Sequence, residues 1–322
     1  MSLKRSKTSQ NNPFPFSDDN LRYHSYSYYL KHKYHQKVFK VPLDAGFTCP
    51  NRDGTCGING CFYCGSKGSG DSITDSDDLR IQFIEGKKTM LNKWPNGKAI
   101  AYFQAFSNTY ASLDDLKKLY HPFIIDQNIV ELAIATRPDC LDQEKIDYFS
   151  QMNKVKPITI ELGLQSIHDK TMSKMNRGHD LNCLDEIVTK LRFANIRTCL
   201  HIINGLPEET PDMMIQTAKH VAKLKVDGIK IHMLHIIKDA VLASMYLTKP
   251  FDLLTKEAYV AIVIKQLEIL PKEMVIERLT GDAIKDNLIA PLWTLRKINV
   301  LNDIAKEMVR QDTYQGKYHE TN

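Results

Sequence analysis

No apolar run in this 322-residue chain approaches the roughly 20 residues that cross a bilayer, so a membrane span is not expected. The first residues (Lys4, Arg5, Lys7, then Asn and Ser) lack the apolar core of an export signal, and a cytoplasmic location is the expectation. Cysteine is scarce and odd in number, seven in all, which argues against a disulfide framework. Charge of one sign is also lacking: the formal net charge is +5, compatible with a polyanionic partner without requiring one. With 43% hydrophobic and 25% charged residues the chain can bury a sizeable core. No linker divides it into separate domains.

The few cysteines are clustered. Cys49, Cys56, Cys61 and Cys64 fall in one stretch, Cys49-Pro-Asn-Arg-Asp-Gly-Thr-Cys56-Gly-Ile-Asn-Gly-Cys61-Phe-Tyr-Cys64. Its Gly, Asn and Asp content lets a loop wrap closely around a compact object. Thiolates converging from such a loop indicate a metal site.

Around this loop the pattern is repetitive. Residues 1–20 are polar and broken by Pro13 and Pro15, and read as a disordered tail. In Arg22–Lys37, tyrosines interleave with cations. That suits a nucleic-acid surface, with Tyr stacking on bases, or an amphipathic helix docking its tyrosines on the domain; the helix is slightly favoured. Apolar, β-branched runs then recur at Phe39–Leu43, Ala99–Gln104, Val130–Thr136, Ile158–Gly163, Thr198–Asn204 and Gly228–Ile236. Between them lie segments with helical spacing: Asp78–Trp94, Ser112–His121, Leu141–Met152, Leu181–Ala194 and Pro211–Leu224. Strands alternating with helices predict βαβ units and a parallel sheet. A further strand, Met274–Leu279, and a helix, Pro291–Met308, follow. The cysteines come directly after the first strand, at the carboxyl end of the sheet, where ligands bind in such folds. The later strand ends are polar or glycine-rich as well: Gln104 to Thr109, Thr136 to Asp139, Gly163 to Ser166 and Asn204 to Glu208. That rim is the candidate active site.

Three metal readings follow from the residues. Zinc accepts four thiolates but usually takes two close pairs, and only Cys61 and Cys64 form one here. Cys56, Cys61 and Cys64 have the spacing of plant-type ferredoxins, yet an electron carrier does not need so large a β/α scaffold. Three thiolates on a [4Fe–4S] cluster would leave one iron open for a cofactor.

The motifs FTCPNRDGT…GCFYC, YFQAFSNTYA, ATRPDC, ELGLQS…RGH, INGLPEET, IKIHMLHI, RLTGD and APLW resemble the radical S-adenosylmethionine superfamily, most closely its YhcC/YtqA-like family, related to the elongator catalytic subunit. The resemblance covers about residues 20–316. It implies an incomplete (β/α)6 TIM-like barrel with short terminal extensions: a core over 21–250 that includes the cluster loop 44–70, and an extension over 251–322. It implies Cys49, Cys61 and Cys64 as ligands of a [4Fe–4S] cluster, with Cys56 a bystander, and S-adenosylmethionine as the second cofactor. By the same resemblance Gln104, Ser107 and Asn108 face the methionine amine, Gln165 a ribose hydroxyl and Arg177 the carboxylate. His201 stands where coproporphyrinogen-oxidase-like relatives place an Asp against the ribose, and Asn204 opens the backbone to adenine. The implied reaction is one-electron cleavage of S-adenosylmethionine to a 5′-deoxyadenosyl radical that abstracts hydrogen from the substrate. The implied substrate is the wobble uridine of tRNA, taken from carboxymethylaminomethyl- to aminomethyl-uridine. A flavodoxin- or ferredoxin-type protein is the implied reductant. A small-metabolite or protein substrate, and a zinc-stabilised RNA-binding module without catalysis, are the alternatives. Lys230 and His232 share a strand face; these and His235 are read either as substrate contacts or as satisfied core groups.

Overall fold

The computed structural model describes residues 12–320 apart from 69, 71, 72 and 75. In chain order its strands are β1 (Val38–Leu43), β2 (Lys98–Phe103), β3 (Ile129–Thr136), β4 (Ile158–Gln165), β5 (Arg197–Asn204), β6 (Gly228–Met233), β7 (Ile236–Ile237), β8 (Val275–Arg278) and β9 (Leu288–Ala290). The helices are α1 (Tyr26–Tyr34), α2 (Leu79–Lys93), α3 (Leu113–Ile125), α4 (Gln143–Asn153), α5 (Asp169–Lys174), α6 (Leu181–Phe193), α7 (Pro211–Leu224), α8 (Val241–Thr248), α9 (Lys256–Ile269) and α10 (Lys297–Arg310). Seven strands form one parallel sheet in the order β1-β2-β3-β4-β5-β6-β8. This is the incomplete TIM-like barrel expected from the sequence, with one more strand than the six repeats.

The local causes are legible. Helices α2, α3, α4, α6, α7 and α9 each open on a side chain that accepts from the first-turn backbone, at Asp78, Ser112, Asp142, Asp180, Thr210 and Thr255. One face of each strand packs under these helices, burying Leu132, Ile134, Ile160, Leu162, Leu200 and Ile202. The other face lines the lumen of the curled sheet.

Three elements differ from the sequence reading. The strand expected over Gly228–Ile236 leaves the sheet after Met233, where Leu234 N–H donates to the Asn204 carbonyl at 2.9 Å; Ile236–Ile237 then pairs antiparallel with Leu288–Ala290. The extension after residue 250 does not merely pack on the barrel: β8 pairs in parallel with β6 and completes the sheet. The last helix begins at Lys297, after a 3-10 turn over Leu292–Arg296.

The amino-terminal segments also find places. Residues 1–11 lie outside the described residues, but 12–20 do not form a loose tail. Asn12 Nδ2 donates to the Asp19 and Leu21 carbonyls, Phe14 is 3% exposed, and Phe16 stacks on His24 at 4.7 Å. Helix α1 lies across the amino ends of the strands. Its Leu30, with Tyr26, Tyr29 and Tyr34, packs against Val38, Ile100, Tyr102 and Ala133 of the lumen wall. Lys33 Nζ and Tyr34 Oη both reach the buried Glu131, at 2.9 and 2.8 Å. The tyrosines of the Tyr-and-cation segment thus plug the barrel. Among the described residues, no helix is long and apolar enough to cross a membrane.

Candidate functional site

The loop after β1 is a chain of tight turns over the carboxyl ends of the strands. Arg52 N–H donates to the Cys49 carbonyl at 2.8 Å, Gly60 N–H to Asn51 at 2.7 Å, and Cys64 N–H to Cys61 at 2.9 Å. Cys49, Cys61 and Cys64 are half-buried, whereas Cys56 is exposed. Burial pushes the Cys64 thiol up to about 11, and the neighbouring Cys61 and Cys49 add to the rise. Burial raises Cys61 too, again with Cys49 contributing. The three sulfurs are therefore electrostatic neighbours, and Cys56 is not among the principal groups acting on either.

Around them stand donors suited to anionic sulfur. Tyr63 and Asn51 hydrogen-bond Cys61 (Asn51 Nδ2 to Sγ, 3.6 Å), Arg137 lends it positive charge, and Arg52 does both for Cys64. Asn51 is 1% exposed and also donates to the Asn176 carbonyl, while its Oδ1 is buried without a partner. Glycine is required beside it: a Cβ at Gly57 would stand 2.3 Å from Asn51 Oδ1, and one at Gly178 (φ +82°) 2.8 Å. This donor set fits three thiolate ligands of one cluster. Among the described residues, no three His, Cys, Asp or Glu side chains are arranged to hold a single metal ion.

The other expected site residues divide between the mouth of the lumen and its walls. Gln165 lies at the mouth, on a bulge of β4, in the left-handed region (φ +58°) that strains a non-glycine residue by about 1–3 kcal/mol. Its amide, oriented to donate, lies 3.2 Å from Tyr63 Oη, so it approaches Cys61 through that phenol. Gln104 follows β2, its N–H donating to Leu43 at 3.1 Å. Ser107 N–H donates to Thr48 at 3.3 Å and ties the rim to the cysteine loop.

Arg177, Asn108 and Asn204 have structural commitments instead. Arg177, 1% exposed, donates to the carbonyls of Leu164 (2.8 Å), Ser166 (2.9 Å) and His179 (2.8 Å) and pairs with Asp169 at 3.0 Å. Its fork clamps the end of β4 and is not open to a ligand carboxylate as expected; its own carbonyl accepts from Arg137 at 2.7 Å. Asn108 Nδ2 donates to Phe103, Ala105 and Ala135 and stitches β2 to β3. Asn204 exchanges both amide hydrogen bonds with Gln266 of α9, at 2.8 and 2.9 Å, which turns its side chain away from the lumen.

His201 lies deeper, in a lumen network that sequence reasoning largely missed. Glu161 of β4 accepts from Lys40 (2.6 Å), Tyr102 (2.9 Å), His201 Nε2 (2.9 Å) and Lys230. Glu277 of β8 accepts from Lys40 at 2.9 Å and Arg197 at 2.7 Å. Burial alone would raise both carboxyls, but Lys230 and Lys40 hold Glu161 well below its usual range, and Lys40 and Arg197 hold Glu277 at about 2. His232 packs ring-to-ring with His201 at 5.7 Å, and burial and the charge of Arg278 keep it neutral. The signal was present in the sequence. Strands covered on both faces read as continuous apolar runs, yet Lys40, Tyr102, Glu131, Glu161, His201, Lys230 and Glu277 interrupt theirs.

A cavity of about 1620 Å³ lies away from this site, beside α1 at the amino ends of the strands.

Residues 53–221 match the radical SAM superfamily, and 226–310 match the radical SAM C-terminal domain. The chain is 47% identical over 310 residues to YtqA of Bacillus subtilis, covering 96% of each. It is 24% identical over 175 residues to the tRNA uridine(34) acetyltransferase of Methanocaldococcus jannaschii, covering 53% of this chain and 31% of that one. Among solved structures, Elp3 of Methanocaldococcus infernus superimposes with a TM-score of 0.65 at 16% identity, covering 87% of this chain and 64% of that one. That likeness concerns the fold.

Proposed function

The chain belongs to the radical SAM superfamily, and within it to the family of YtqA, and from that premise we propose that it modifies the wobble uridine of tRNA. The superfamily uses S-adenosylmethionine and a [4Fe–4S] cluster. Cys49, Cys61 and Cys64 would hold the cluster, three ligands leaving one iron for S-adenosylmethionine. When bound, the pair supplies a reducing electron and a hydrogen-abstracting 5′-deoxyadenosyl radical.

The protein's residues orient and shield. Asn51, Tyr63 and Arg52 stabilise negative charge on the thiolates. Arg177 and Arg137 fix the β4 end and the 176–178 turn against them. Gln165, held over Gly163 beside Tyr63, would bond a ribose hydroxyl. The observation carrying the enzymatic reading is the neighbouring of these three thiols at the mouth of a lumen lined with charged groups.

The substrate reading is supported by the uridine(34) activity in the name of the archaeal relative and is compatible with the +5 charge. The specific step would take carboxymethylaminomethyl-uridine, with or without a 2-thio group, to aminomethyl-uridine, with a flavodoxin- or ferredoxin-type reductant. The test is anaerobic incubation of reconstituted protein with S-adenosylmethionine, dithionite and tRNA bearing the carboxymethylaminomethyl group. 5′-Deoxyadenosine and aminomethyl-uridine should appear together, measured by nucleoside mass spectrometry. Radical formation without any tRNA change would redirect the search to a metabolite or a protein. A colourless, zinc-loaded protein would leave an RNA-binding module.

A further inference from the structure

The charges in the lumen do not balance. Lys40, Arg197 and Lys230 face Glu161 and Glu277, three cations against two carboxylates. The adjoining Lys33–Glu131 pair is neutral and leaves the excess at one positive charge. The groups are enclosed: the side chains of Glu161 and Glu277 are fully buried and that of Lys230 is 6% exposed. An uncompensated charge in such a place is costly, and it is relieved by proton loss or by a counter-ion. Arg197 does not lose its proton, and Lys40 lies between two carboxylates. The excess therefore falls on Lys230, the cation nearest the carboxyl end of β6.

Above Lys230 two more nitrogen-bearing side chains converge. His232 is next on the same face of β6 and, among the described residues, has no hydrogen-bond partner beyond its ring contact with His201. Arg278 of β8 stands close enough to depress His232, and its own partner, Asp282 at 3.4 Å, is shared with Lys297. Across the lumen Ala135 stands level with Glu161 and Gly163 follows above it on the same face, with the Gln165 amide lying over that glycine at the mouth.

We propose that the lumen below the three thiols binds a carboxylate, held by Lys230 and His232 with Arg278 at the wall, and that this carboxylate is carried by the substrate. The inference rests on the radical-SAM reading and adds the charge of the group presented to the radical. A wobble uridine bearing a carboxymethylaminomethyl group has such a carboxylate, and its aminomethyl product does not. S-adenosylmethionine carries one too, so the experiment separates the two sources.

The test uses anaerobically reconstituted full-length protein, sodium acetate as the probe, and acetamide as the neutral isostere at constant ionic strength. Thermal unfolding and NMR line broadening of ¹³C-acetate are the readouts. Acetate should raise the unfolding midpoint and broaden, and acetamide should do neither. Lys230→Met should abolish the difference and His232→Asn weaken acetate binding several-fold; the second variant serves if the first does not fold. S-adenosylmethionine affinity in both variants should stay within threefold of the parent. Equal responses to acetate and acetamide, or an acetate response that persists in both variants, overturn the site. A tenfold or greater loss of S-adenosylmethionine affinity reassigns it to the methionine carboxylate and overturns the substrate assignment. No tRNA enters this experiment, so failure of the tRNA reading leaves its result intact.

Discussion

Lys40 and Glu277 come from the two edge strands of the sheet, yet their side chains meet at 2.9 Å. Among the described residues no ladder joins β1 to β8, and this ion pair spans the gap where a full barrel would use backbone hydrogen bonds. Lys40 also reaches Glu161 at 2.6 Å, crossing from β1 to β4. The polar network is thus what holds the curl, and several consequences can be measured.

Glu161→Leu strands Lys230 in the lumen and leaves Lys40 with Glu277 alone. Breaking a buried network on one side should cost roughly 3–5 kcal/mol, read as a lowered urea midpoint. Adding Lys230→Met should recover part of the loss, because it removes the stranded charge.

Acid should weaken the fold in two steps. Burial holds His235 at about 4, and burial with nearby cations lowers His201 and His232. The unfolded chain then binds protons that the folded one refuses, so stability is full above about pH 6.5 and falls as pH drops toward 4. The shift of His235 corresponds to about 3 kcal/mol at most. Glu277, depressed to about 2, contributes stability that is present above its unfolded value near 4.5 and lost between there and 2. Urea unfolding at pH 4 to 7 should show the first slope, and His235→Asn should flatten it.

Iron analysis separates the cysteines. Cys49→Ser, Cys61→Ser and Cys64→Ser should each drop the iron content of reconstituted protein from about four per chain toward background. Cys56→Ser should retain it, because that thiol is exposed where the other three are half-buried.

Gly178→Ala tests the support around Asn51. The left-handed backbone costs a residue with a Cβ about 1–2 kcal/mol, and the new methyl would press on Asn51 Oδ1. The expected result is a modest loss of stability with a faster loss of iron to a chelator. Unchanged iron retention would show that Asn51 does not support the thiol.

The plug makes a prediction opposite to that of an RNA-binding segment. Leu30→Ala should destabilise the protein by about 3 kcal/mol and leave tRNA affinity unchanged in a filter-binding assay. A selective loss of affinity would return α1 to the nucleic-acid surface.

The β/α alternation was legible because α2, α3, α4, α6 and α7 each carry a capping residue and each main strand an apolar run. The cysteine loop was legible because its thiols are near in sequence. Arg177 and Asn204 were harder: a side chain at a strand end can turn to ligand or scaffold, and the partners that decide, Asp169, the β4 carbonyls and Gln266, are read only in three dimensions. Helix α9 is buried nearly all round, so it shows no amphipathic stripe. The lumen network was visible as isolated charges, but which cation meets which carboxylate depends on how far the sheet curls.

The stopper at the amino end has a kinetic consequence. With α1 wedged against Val38, Ile100 and Tyr102, the described residues leave the lumen its mouth at the end ringed by the cysteine loop. Two visitors sharing one doorway must queue: the one seated deeper arrives first, and the last to arrive is the first to leave. If the uridine substituent goes to the floor, S-adenosylmethionine follows it, and methionine and 5′-deoxyadenosine depart before the modified base. Product-inhibition patterns should then be those of an ordered sequence, with the nucleic acid as both the first guest and the last.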